Sequence, residues 1–130
     1  MHFLQNLHGH MRWLIMLAAV IHLVVLIMAI AKPAAPKLRK ITGAAFAGLL
    51  DLQLLTGLIF LVMKLSNGLP VTHHTFEHLA TMLVVVVLMH MAVRWVKKET
   101  AAETRKALTA TVVSIALIVF GVVRLLGGWV

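Results

Sequence analysis

The sequence predicts an all-α integral membrane protein, an up-down-up-down four-helix bundle with both termini on the non-cytoplasmic side. Three observations point there. The 130 residues are 62% apolar and only 12% charged, with a mean hydropathy of +1.01. A soluble domain of this size has too little interior to hide so much apolar surface. The apolar residues also gather into four runs, about 11–31, 42–63, 75–96 and 107–126. Each is close to the ~20 residues that cross a bilayer as a helix. Finally, the basic residues lie between these runs, so the +8 net charge reads as membrane topology rather than as a nucleic-acid footprint.

The first run, from about Met11 to Ala31, reads as a spanning helix. It lacks the basic leader and small-residue cleavage site of a signal peptide, and it is too long for one. AKPAAPKLRK follows, and its prolines stop the helix. The second run, about Thr42 to Met63, ends in the turn-rich KLSNGLPVTHH. The third, about Thr75 to Val96, leads into WVKKETAAETRK, which extends the flanking helices into water. The fourth runs from about Ala107 to Leu126. Together they make a single domain over residues 1–130, and short connections favour a sequential bundle.

Orientation follows from Lys and Arg. Lys32, Lys37, Arg39 and Lys40 sit in the first link, and Arg94, Lys97, Lys98, Arg105 and Lys106 around the third. Only Arg12, Lys64 and Arg124 lie towards the other side. The side rich in basic residues is expected to be cytoplasmic, in a bacterial inner (plasma) membrane. The chain has no cysteine. That excludes disulfides, zinc-thiolate sites, iron–sulfur ligation and c-type haem attachment.

Eight histidines are the anomaly. His2 is terminal, and His73 and His74 fall in a wet link where they are expected to be solvated. His8, His10, His22, His78 and His90 sit on or at the ends of spanning helices. Ionisable residues at that depth are costly and usually face the bundle interior. The first and third helices run in the same direction. His8 or His10 therefore matches His78 in depth, and His22 roughly matches His90. The pairs form an outer and a deeper layer separated by about 18 Å. Imidazoles facing each other at equal depth suit the iron of one or two haem b groups, with His8 (or His10) opposite His78 and His22 opposite His90, although periodicity alone does not name the metal. The angular test is stricter. Residues twelve apart on a helix differ by about 120° in direction, and residues fourteen apart by about 40°. His8 thus shares a face with His22 better than His10 does, and His78 and His90 do not share a face on a straight helix. The competing reading is that each histidine only bonds a neighbouring helix or a buried water.

Other polar groups have fewer constraints. Asp51, in DLQLLTGLIF with Gln53, has a depth similar to that of His22. It either orients an imidazole, moves protons for quinone chemistry, or pairs with a histidine for packing alone. Glu77 either holds the His78 tautomer and accepts protons, or favours its helix N-terminus. Arg12 and Arg124 are candidates for haem propionates, while Lys64 reads as a snorkelling side chain. Trp13, Trp95 and Trp129 read as an interfacial belt, and the eight methionines as packing. Gly43, Gly48 and Gly57 with Ala44, Ala45 and Ala47 give the second helix a small-residue face for close helix approach or a macrocycle.

LHGHMRWL, DLQLLTGLIF, FEHLATMLVVVVLMH and the closing RLLGGW resemble a family of small bacterial four-helix membrane proteins labelled cytochrome b-like. The resemblance spans nearly the whole chain through short motifs, and it singles out His8, Arg12, Trp13, Gln53, Glu77, His78 and His90. Many members of that family carry histidine where Asp51 stands here, and His22 is less typical of its pattern. The resemblance implies haem b.

The resulting expectation is a haem-b cytochrome subunit. It carries electrons between the quinone pool and a redox partner, within a respiratory or photosynthetic complex or a homo-oligomer. Its partners are the lipid bilayer and other membrane redox subunits, and no nucleic acid. It is the electron-transfer subunit of a quinol-linked oxidoreductase only if quinol is oxidised on this chain. Two rivals remain, a cofactor-free structural or assembly subunit and a copper- or zinc-handling membrane protein.

Overall fold

The computed structural model describes residues 2–31, 36–98 and 100–126, the side chains of His2, Pro36 and residues 124–126 excepted. Four helices follow one another: α1 His2–Ala31, α2 Pro36–Ser66, α3 His73–Lys97 and α4 Ala101–Leu126. All four are long and apolar enough to cross a membrane. Each helix outruns its apolar core, because polar first and last turns carry it on. Pro36 opens α2, where its missing N–H has no helical partner to lose. That proline therefore starts a helix as well as following one.

The helix ends are built locally. Gly68, with φ of 66°, ends α2 in the left-handed conformation that glycine adopts at least cost. The Leu69 N–H reaches the Lys64 carbonyl at 2.9 Å and the Gly68 N–H reaches Leu65 at 3.2 Å, the two bonds of a Schellman ending. At the start of α4, the Glu103 N–H donates to Thr100 Oγ1 at 3.1 Å, so Thr100-Ala-Ala-Glu103 starts the helix with a side-chain cap.

Each helix packs on its neighbour in sequence, and α1 closes on α4. The core holds Met11, Ile15, Ala19 and Leu26 of α1, Phe46, Ala47 and Leu50 of α2, Val85, Met89, Ala92 and Val96 of α3, and Ala107, Ala110 and Ile118 of α4. Large apolar side chains such as Leu17, Met28, Val62, Val87 and Phe120 face outward. With backbone groups satisfied inside each helix, that exterior suits hydrocarbon rather than water. At one end of the bundle, buried Arg39 donates to Thr104 Oγ1 at 3.0 Å, which ties α2 to α4.

Candidate functional site

The histidines of α1 meet α2 in the same way twice. Fully buried His22 has Nδ1 2.8 Å from Thr42 Oγ1. The Thr42 hydroxyl donates to the Leu38 carbonyl at 2.9 Å, so its oxygen accepts the His22 Nδ1–H. The next residue, Gly43, leaves the ring its room: a Cβ there would sit 3.1 Å from His22 Cε1 and 3.3 Å from Nε2. Nε2 therefore carries the lone pair, and it is buried without a hydrogen-bond partner.

Fourteen residues earlier, half-buried His8 places Nδ1 3.3 Å from Thr56 Oγ1. The Thr56 hydroxyl donates to the Gln53 carbonyl at 3.0 Å. A Cβ on Gly57 would sit 3.0 Å from His8 Cε1. His8 and His22 thus each face a Thr-Gly pair of α2, and the two Thr-Gly pairs are themselves fourteen residues apart, in the opposite sense along the chain. Fourteen residues are two heptads, the interval at which two packed antiparallel helices regain register. Gln53 also clamps the outer contact, with Nε2 donating to the His8 carbonyl at 2.7 Å.

The two levels differ in what α3 brings. His78 turns inward, and its ring centroid lies 6.3 Å from that of His8 with the planes at 80°. Gly121 of α4 flanks it, where a Cβ would sit 3.6 Å from His78 Nδ1 and 2.8 Å from Met82 Cε. His78 Nδ1 is buried beside Gly121 without a well-formed hydrogen bond. At the deeper level the Phe46 ring packs against His22, with centroids 6.4 Å apart. His90 is turned outward instead. Its Nε2 lies 2.8 and 3.0 Å from the two carboxylate oxygens of Asp51, and the two side chains are 54% and 46% exposed.

These positions can be tested against a haem iron. Imidazole nitrogens bind such metals at about 2 Å, and the ring centre lies about 1 Å further back. Two imidazoles sharing one metal ion would have centroids about 6 Å apart, and the His8–His78 rings have a similar separation. The glycines beside both rings, and the Thr56 contact that leaves His8 Nε2 for a ligand, agree with that use. Among the described residues, His8 and His78 are thus two imidazoles that approach each other inside the bundle and could hold a metal-centred group, whereas His22 packs against Phe46.

The remaining residues are scattered. His10 is exposed on α1. Arg12 stands one turn beyond His8, with its guanidinium 5.4 Å from the Trp13 ring centre. Glu77 lies one turn into α3, one position before His78, and its Oε2 is 3.5 Å from His74 Nδ1. The side chain of Arg124 and all of Trp129 lie outside the described residues. Comparison with protein-family models, curated proteins and solved structures finds no match to this chain, so the reading of the site rests on its geometry.

Proposed function

We propose that the chain is a haem-b membrane cytochrome that carries electrons between the quinone pool and a redox partner, as a subunit of a larger bacterial membrane complex. The observation that carries this reading is the meeting of His8 and His78 inside the bundle at a ring separation of 6.3 Å. Haem b, when bound there, supplies reversible one-electron chemistry. The protein's part is to hold and orient. Thr56 fixes the His8 tautomer, and Gln53 fixes the α1 turn that carries it. Gly57 and Gly121 keep space beside the two rings. Arg12 offers a cation to the propionates from the turn after His8.

Asp51 and His90 serve quinone in this reading. The pair lies near the middle of α2 and opens on the outer, lipid-facing surface of the bundle. Polar residues at such depth mark function by default. A quinol hydroxyl arriving from the lipid would donate its proton to this imidazole–carboxylate pair. The basic residues orient the bundle up-down-up-down, with the two ends of the chain and the 67–72 link on the non-cytoplasmic side and the His8–His78 level nearer that surface.

The test is a reduced-minus-oxidised absorbance spectrum with a pyridine haemochrome assay, on protein expressed with ample haem and purified in detergent. One haem b per chain is expected. It should be lost in His8→Ala and in His78→Ala and kept in His10→Ala. A colourless wild-type protein overturns the reading. For the quinone step, Asp51→Asn should slow haem reduction by quinol while haem content stays unchanged; an unaltered rate removes Asp51 from the proposal.

A further inference from the structure

The opening turn of α3 gathers a second set of metal-ligating side chains, which the haem reading does not use. His73 and His74 begin the helix, and Glu77 follows one turn later. The sequence alone places both histidines in a solvated link, but the structure winds them into α3. Their spacing from Glu77, four and three residues, then sets both imidazoles beside its carboxylate. One ligand atom from each of the three lies within 4.8 Å of the others. The two imidazole centroids are 4.1 Å apart. His74 Nδ1 is 3.5 Å from Glu77 Oε2, yet it is buried and forms no hydrogen bond.

A tetrahedral ion with bonds of about 2.0–2.2 Å needs its ligand atoms roughly 3.4 Å apart. The three donors are therefore about one side-chain adjustment from closure. His73 and Glu77 are exposed and His74 half-buried, so they can make that adjustment without disturbing the core. The same exposure gives an ion a path in.

We propose that His73, His74 and Glu77 bind one first-row divalent transition-metal ion, with the remaining position open to water. Two imidazoles and one carboxylate, in a chain without thiolates, suit Zn²⁺, Ni²⁺ or Cu²⁺ and disfavour Mg²⁺ and Ca²⁺, which require more oxygen ligands. The carboxylate offsets the positive end of the α3 dipole, which by itself opposes a cation. This site is independent of the haem ligands. It sits in the first turn of α3, before His78, and uses none of the groups that face the bundle interior.

The experiment is a Zn²⁺ titration, by calorimetry and by competition with a chromophoric chelator. It uses metal-depleted full-length protein carrying no polyhistidine tag. One ion per chain is expected. The His73→Ala/His74→Ala double variant should bind about tenfold or more weakly, Glu77→Gln should fall between, and His10→Ala should match wild type. Mg²⁺ should not compete. Co²⁺ added to wild-type protein should give the visible absorption of a low-coordinate nitrogen and oxygen site, a readout that needs no variant. Absence of saturable Zn²⁺ uptake overturns the proposal, as does unchanged affinity in the double variant.

Discussion

His8 and His22 occupy the same helix, face the same kind of Thr-Gly contact and lie two heptads apart, yet they end in different company. His8 meets His78 across the bundle. His22 is fully enclosed and has the Phe46 ring at a comparable distance. The α1–α2 pair thus supplies two nearly identical half-sites, and α3 decides which one is completed. A histidine fixed by its neighbours is only half of a ligand set.

Six substitutions probe that contrast. The largest expected effect is on haem. With haem bound as proposed, His8→Ala should lower haem content about tenfold or more, by loss of a proposed ligand. His22→Ala should leave the spectrum of the outer pair in place even if it destabilises the bundle. Equal loss of haem in both variants would erase the distinction between the levels. Next, Gly57→Leu should cost about 3 kcal/mol in thermal unfolding and also displace haem, because its side chain must enter the space of the His8 ring. Gly48→Ala is the control: nothing lies within 4 Å of a Cβ there, so it should be neutral or stabilising by up to about 1 kcal/mol. A similar loss at both glycines would mean that the His8 cradle has no special tightness. The smallest effects concern the threonines. Thr42→Val strands a buried ring nitrogen and should cost about 1–3 kcal/mol. Thr56→Val breaks a longer, half-buried contact and should cost about 1 kcal/mol or less. Denaturation of the two variants side by side in one detergent reads the difference, and a reversed order would contradict the burial of the two rings.

The sequence shows part of this arrangement. Hydropathy marks the four helices, because apolar length is what a bilayer demands. The 40° offset between residues fourteen apart places His8 and His22 on one face, leaving His10 to point elsewhere. The 120° offset on α3 separates His78 from His90, but rotation alone does not say which of them faces inward. That depends on the roll of the whole helix, which is set by contacts such as Met82 against Gly121. The outward turn of His90 depends likewise on Asp51 of α2 waiting there. The threonine partners were legible in principle. Thr42-Gly43 and Thr56-Gly57 repeat at the same interval as His8 and His22, and a shared interval on adjacent helices is a signature of register. The metal-ligating cluster was hidden by the boundary of α3. With His73 and His74 assigned to a link, their spacing from Glu77 carries no geometry.

Between the two histidine levels the α1–α2 side of the interior is hydrocarbon, while α4 brings the buried hydroxyls of Thr111 and Ser114 to the opposite side. Met11, Ile15 and Ala19 from α1 and Phe46, Ala47 and Leu50 from α2 are all buried there, and none of them can pass a proton along. On the α1–α2 side this apolar stopper is about two helical turns thick or more. The polar pair nearest to mid-height, Asp51 with His90, stands outside that stopper. Protons handled by this pair would therefore enter and leave along the flank of the bundle rather than through the α1–α2 side of its interior.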